Sequence, residues 1–495
     1  MIKKLLIMSA LLLPAFGAGA AATRPMTLDE AIALARVNSV DAAVALNELR
    51  ASYWQYRSYR ADLLPEVNFN ATVPSYSKRY SSYQNADGTY NFVRSSNLEL
   101  SGSLTVRQNV WLTGGSIAVQ TSYDWLRQLG RGAYSRFMSV PVAVTLNQPL
   151  FAANTVKWDR RIEPVRYREA KAQFLSATEN VALEAINYFF NLVLANENLN
   201  IARQNLANDE KLYEVAQAKR SMGTISENDL LQLRLNVLNS RAALTEAETG
   251  RTASHFQLTS FLGIDDAGEE IVPQVPERLP HIDLAYGRVL EKALENNRFA
   301  YNQRRRQLEA DYNVAVARGN QRSVSVYAQV GLTGVGDRPA DAYSPLRDNQ
   351  VVEIGLSIPL LDWGKRRGRV KVAESNREVV ENTLRKEATD FRQNLFVLVE
   401  RFNNQQRQVE IAAVADTIAD RRYQTNIQTF MIGRISTLDL NDSQTARDHQ
   451  HTNYYNALFA YWYYYYQIRL LALWDFVADS PIDADFDRII GKRLH

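Results

Sequence analysis

The chain has 495 residues, 46% of them hydrophobic and 22% charged, and a formal net charge of +3. That near balance of sign carries no electrostatic signature of a nucleic-acid partner. The absence of cysteine excludes disulfides and a lipid attached at a processed N-terminal Cys.

Residues 1–22 read as a secretory signal peptide. Lys3 and Lys4 precede an apolar run from Leu5 to Phe16, and Ala18-Gly19-Ala20 and Ala20-Ala21-Ala22 supply small residues for cleavage. The run is shorter than the ~20 residues that span a bilayer. A helical stretch begins at "MTLDEAIALARVNS", and alternating segments follow near 66–74, 98–112, 116–126 and 138–150. Val67, Phe69, Ala71 and Val73 alternate with Asn68, Asn70 and Thr72; Val140, Val142, Val144 and Leu146 do the same with Ala143, Thr145 and Asn147. Period two gives a strand with one apolar and one polar face. A soluble sheet produces that pattern with its apolar face on a core, and a lipid-exposed barrel produces it with its apolar face outward. The polar, aromatic stretch from Ser75 to Asn97 reads as a mobile loop, as does Thr333 to Gln350.

A helical hairpin is expected over 155–263. Phe174, Thr178, Val181, Ala185, Tyr188, Leu192, Ala195, Leu199, Ala202 and Leu206 step by four and three, which is a coiled-coil seam. An uninterrupted helix over 155–222 would be a rod of roughly 100 Å, too long for a globular core to use along its length. Asp265, Asp266, Glu269 and Glu270 follow as an acidic solvated loop, and the Pro-rich stretch 271–284 reads as a linker. Helices, strands near 323–332 and 351–360, and a second helical hairpin over 364–476 come next, with 481–495 as a C-terminal tail. Leu384, Ala388, Phe391, Leu395, Leu398, Phe402, Gln405, Val409 and Ala412 repeat the four–three stagger. The aromatic run Ala457 to Trp474 holds Gln467 and Arg469 and reads as a packed helix, since a central Arg costs about 2.5–3.5 kcal/mol to insert in a membrane.

The two halves, 23–270 and 285–480, are therefore internal repeats. Gly-x-Ile-Ser-x-x-Asp-Leu occurs at Gly223–Leu230 and again at Gly433–Leu440. From Pro149 to Gly223 and from Pro359 to Gly433 the spacing is the same 74 residues. Each Gly suits the positive φ of a helix C-terminus. Ser226 and Ser436 suit the cap of the returning helix, and Asp229 and Asp439 complete a capping-box pattern. Six strands at most cannot close a membrane barrel, which needs about eight, so a barrel would have to be shared between chains.

In the "MTLDEAIALARVNS" opening, the strand ends "LNQPLF" and "LSIPLLDWGK", and the paired Gly-x-Ile-Ser-x-x-Asp-Leu turns, the chain resembles the outer membrane efflux proteins, the TolC-like channels. The resemblance implies an α+β membrane protein in the outer membrane. Its homotrimer shares one transmembrane β-barrel and a periplasmic α-helical coiled-coil tunnel. The implied partners are a periplasmic adaptor, an inner-membrane pump or ABC transporter, and outer-membrane lipid; no cofactor, catalytic residue or nucleic acid is implied. The function implied is a passive exit duct of tripartite efflux or type I secretion, gated at its periplasmic tip. That family contributes four strands per chain, whereas the hairpin spanning 98–126 here is additional, leaving 12 or 18 strands per trimer.

On matching positions, Asp439 and Asp442 form an acidic selectivity ring, sharing a helix face three residues apart. Gly223, Thr224, Ile225, Gly433, Arg434 and Ile435 are expected at exposed tips that dock the adaptor. Trp158, Trp363, Lys365, Arg366 and Arg367 are expected at the membrane interface, because cations at a helix start oppose its dipole and lipid phosphate would offset this. Enzyme signals are poor: His449 and His451 are two apart on a helix and do not share a face, and no phosphate loop or nucleophile elbow is present. The alternative reading is an exported structural or adhesive coiled-coil protein with soluble β segments.

Overall fold

The computed structural model describes residues 23–130, 132–264, 270–276, 279–321, 323–357 and 361–491. The expected signal peptide, most of the acidic loop and the strand end at Pro359 lie outside the described residues. In chain order the elements are β1 (Thr23–Thr27), α1 (Leu28–Asn38), α2 (Val40–Ala61), β2 (Glu66–Gln84), β3 (Tyr90–Val110), β4 (Gly115–Gln128), β5 (Tyr134–Pro149), α3 (Thr155–Ser221), α4 (Glu227–Leu262), β6 (Glu270–Gln274), α5 (Tyr286–Asn296), α6 (Arg298–Gly319), β7 (Ser323–Gly336), β8 (Arg347–Ser357), α7 (Lys365–Met431), α8 (Thr437–Ala472), β9 (Trp474–Asp475), β10 (Ser480–Pro481) and α9 (Phe486–Ile489). The two outgoing helices α3 and α7 are both 67 residues, about 100 Å of helix, and the two returning helices α4 and α8 are both 36.

The chain divides into two compact units. One gathers the chain up to Asn47 with Phe174–Asn296 and Gln393–Ile489; the other gathers Glu48–Gln173 and Asn297–Arg392.

The first unit is helical. Its core draws Ile186, Phe189, Phe190 and Leu192 from α3, Leu395, Val399 and Phe402 from α7, and Leu458, Tyr461, Tyr465 and Ile468 from α8, all buried. The aromatic run in α8 is thus a packed helix, as its composition suggested, and no described helix is long and apolar enough to cross a membrane. Glu179 of α3 is buried between two arginines, Arg36 of α1 and Arg469 of α8. Asp475 takes the other side of Arg469 at 2.6 Å. The expected linker is not featureless: β6 at its start pairs in parallel with β1.

The second unit carries one six-stranded sheet in the order β2-β3-β4-β5-β7-β8, antiparallel throughout. The extra hairpin, β3 and β4, therefore lies in the middle of the sheet. Two loop expectations are corrected. Ser75–Asn97 is mostly strand: β2 runs to Gln84 and β3 starts at Tyr90, with Gln84 paired to Tyr90 across a tight turn. One face carries Tyr76, Tyr80, Tyr90, Phe92 and Leu98, but Lys78, Ser82, Gln84, Arg94 and Ser96 are interleaved on it, so period two in hydrophobicity marks it only weakly. The stretch Thr333–Gln350 is likewise strand to Gly336 and again from Arg347.

Candidate functional site: hairpin tips and strand wall

The repeated phrase builds the same tip twice. At the first, Gly223 has φ 72° and ends α3, with its N–H donating to the Arg220 carbonyl at 3.0 Å and the Thr224 N–H to the Lys219 carbonyl at 3.0 Å. At the second, Gly433 has φ 75°, and the same two bonds run from Gly433 to Phe430 and from Arg434 to Thr429. A left-handed residue closing two carbonyls is a Schellman cap, which glycine adopts without steric cost. Ser226 then accepts from the Asp229 N–H, and Ser436 from the Asp439 N–H. At the second tip the box is complete, because the Asp439 carboxylate also accepts from the Ser436 N–H at 3.2 Å.

Ile225 and Ile435 do not point out as expected. They are half-buried and pack, with Leu230, on a core of Leu212, Ala216, Leu233, Tyr423, Phe430 and Leu440. Each Ile precedes the cap and each Leu lies four positions into the helix, which is the hydrophobic staple. That signal was present in the phrase and completes its physical meaning: Gly ends one helix, Ser and Asp cap the next, Ile and Leu pin the entry. The two tips are tied together, since the Thr437 hydroxyl donates to Asp229 at 3.0 Å and Lys219 Nζ to the Phe430 carbonyl at 3.0 Å. What remains exposed there is Gly223, Thr224, Gly433 and Arg434, with Met222, Ile432 and Leu438 as large apolar side chains.

Asp439 and Asp442 are both exposed near the start of α8, but each already has a partner. The Ser436 hydroxyl and then its backbone N–H hold the Asp439 carboxyl below the usual range. Asp442 is paired with Arg422 of α7 at 2.6 Å. Asp229 is held low by Ser226 first and by Thr437. Farther along α8, His449 turns to Asn453. His451 lies between Asp416 and Glu197, whose hydrogen bond is the main cause raising its pKa. No described group of His, Asp or Glu is arranged to hold a metal ion.

The expected interface residues sit where strands give way to α3 and α7. Both helix starts carry caps that answer the dipole locally. Asn154 accepts from the Lys157 N–H at 2.9 Å while its amide donates to the Trp111 carbonyl. Asp362 accepts from Arg366 and Gly364, and those bonds lower its pKa. Arg160 lies 4.3 Å over the Trp111 ring, and Trp158 packs on Tyr312. Arg366 reaches the Gln321 carbonyl. Trp363, with φ 54°, is 89% exposed, and Lys365 and Arg367 are exposed beside it.

The sheet has two unlike faces. A hydrogen-bonded line runs Val67, Val106, Val119, Val144, Val330 across five strands. The next line, one residue on, runs Asn68, Thr105, Gln120, Ala143, Gly331, Asn349 on the other face. The apolar face is not covered: Phe69 is 72%, Val330 56% and Ile354 68% exposed. A soluble sheet buries its apolar face, and this one does not.

Residues 115–264 match the family described as outer membrane efflux protein. Three solved structures share the fold: the Campylobacter jejuni CmeC outer membrane channel (15% identity, TM-score 0.66, 94% of this chain and 88% of that one), the open-state Neisseria gonorrhoeae MtrE channel (14%, 0.56, 90% and 88%), and the Vibrio cholerae outer membrane protein VceC (16%, 0.54, 92% and 97%). This is the outer membrane efflux protein fold. No curated protein matches in sequence. The efflux-channel fold accounts for long helices and a sheet in one chain.

Proposed function

We propose that the chain is the outer-membrane exit duct of a tripartite efflux or type I secretion system, a passive conduit of three copies. The observation that carries this is the uncovered apolar face of an antiparallel sheet whose other face is polar. Lipid on one side and a wet lumen on the other suit both faces at once. In hydrocarbon an unpaired sheet edge costs several kcal/mol per free backbone group, so strands from several copies would close one barrel. The hairpins α3–α4 and α7–α8 would form the periplasmic tunnel. Exposed stripes on α4 (Leu231, Leu235, Leu238) and α7 (Ile411, Val414, Ile418) offer apolar surface for neighbouring copies.

At the tips, Asp439 and Asp442 of three copies would line the entrance and favour cations. Gly223, Thr224, Gly433 and Arg434, with Met222 and Ile432, would receive a periplasmic adaptor that couples to an inner-membrane pump. Trp158, Trp363, Lys365, Arg366 and Arg367 would sit at the periplasmic lipid interface, where aromatic rings and cations are favoured. The test is expression followed by fractionation and planar-bilayer recording. The expected result is a heat-modifiable trimer in outer membranes that conducts after purification. A monomer in the soluble periplasm that never conducts would instead support the adhesive or structural reading.

A further inference from the structure

The sheet has two open edges, and their geometry specifies what pairs with them. Among the described residues β2 bonds only to β3 and β8 only to β7. Alternation of direction across six strands leaves β2 and β8 antiparallel, so β8 of one copy can add to β2 of the next without breaking the pattern. β2 carries Pro74 and a bulge between Thr72 and Ser75, devices that blunt an edge, but its stretch Glu66–Thr72 has neither, and nor does Val351–Ser357 of β8, so the open seam is confined to those seven residues on each side.

We infer that a second copy of this chain seats its β2 on β8 with Ser357 opposite Glu66, and that three copies close an 18-stranded barrel. This rests on the three-copy reading above and deepens it. Both strand ends adjoin helices, α2 before β2 and α7 after β8, so they belong at one depth. The hydrogen-bonded line from Glu66 passes through Arg107, Ala118, Thr145 and Gln329 to Val351, six residues short of Ser357. Levelling the ends therefore staggers each copy by six residues over six strands. At about 3.3 Å per residue and about 4.8 Å per strand, the tilt is about 35°, which is the lower bound for closed barrels.

The same register satisfies the faces. It sets Ile354 against Phe69 and Val352 against Ala71 on the apolar side, and Glu353 against Asn70 on the polar side. A slip of one residue would put Ile354 on the lumen. Eighteen strands at this tilt enclose a ring about 34 Å across between backbones, against about 23 Å for twelve. Passage is then restricted by the helical tips and not by the outer mouth.

The chain has no native cysteine, so engineered pairs report cleanly. Ile354→Cys with Phe69→Cys should yield, on oxidation, a covalent trimer that reduction dissolves. Ile354→Cys with Asn70→Cys, on opposite faces, should stay unlinked. Val119→Cys with Val144→Cys should link within one chain and fix the extra hairpin in the wall. A reduced variant that assembles as a trimer but never links at Ile354 and Phe69 overturns the seam while leaving a three-copy channel standing. Covalent dimers or tetramers overturn the three-copy reading itself. Failure of the Val119–Val144 link in an assembled trimer overturns the count of 18.

Discussion

Glu179→Ala should lower the stability of the helical unit by about 3 kcal/mol. The carboxylate is 1% exposed and meets Arg36 and Arg469. Removing one member of a buried charge cluster leaves the others without compensation and costs about 3–5 kcal/mol. The low end applies here for two reasons. Asp475 still holds Arg469 at 2.6 Å, and Arg36, 31% exposed, can turn to water. The cluster joins α1, α3 and α8, so the loss should appear as a lower urea midpoint of the helical circular-dichroism signal. A change below about 1 kcal/mol would mean the three helices are held by apolar packing alone.

The second large effect concerns ion passage. In the proposed trimer, Asp442→Ala combined with Asp439→Ala removes six carboxylates from the tip and frees three Arg422 guanidinium groups. A constriction lined by one sign of charge raises local counter-ion concentration by about 10–10³. Block by a multivalent cation in planar bilayers should therefore weaken about tenfold or more. Arg422→Ala alone should act in the opposite direction, because it releases Asp442 from its 2.6 Å partner. Asp439 is held below the usual carboxylate range by Ser436, so block should persist as the pH falls toward 4. Equal block in all variants would remove Asp439 and Asp442 from the permeation path.

The helical part of the fold was legible in the residues for a physical reason. A four–three apolar stagger sustained over tens of residues, closed by glycine and opened by Ser and Asp, has one local solution. The hairpins accordingly end at Gly223 and Gly433 as expected. The strand part was legible only where hydrophobicity alternated. Tyr76, Tyr80 and Phe92 share a face with their partners Leu98, Arg94 and Ser82, and the charged and hydroxyl residues interleaved on that face mask the period-two trace. A glycine turn favours exposure of its neighbours, and it is the Ile–Leu spacing of a staple that turns Ile225 and Ile435 inward. The Arg422–Asp442 pair depends on the register between α7 and α8, which no local pattern contains. The capping role of Asp362 depends on the turn at Trp363 and Gly364 that brings the Gly364 and Arg366 N–H groups to its carboxylate, which the basic run alone does not encode.

In the proposed barrel the apolar face of the sheet touches lipid while its opposite face touches water. Single nitroxide labels along β7, introduced through cysteine in the cysteine-free chain, test it in reconstituted membranes. At Ala328, Val330 and Leu332, oxygen dissolved in the bilayer should relax the label and a water-soluble nickel complex should not. At Tyr327, Gln329 and Gly331 the order should reverse. If neither agent reached the first three positions, the face would be buried in a protein core, and the membrane barrel would be contradicted.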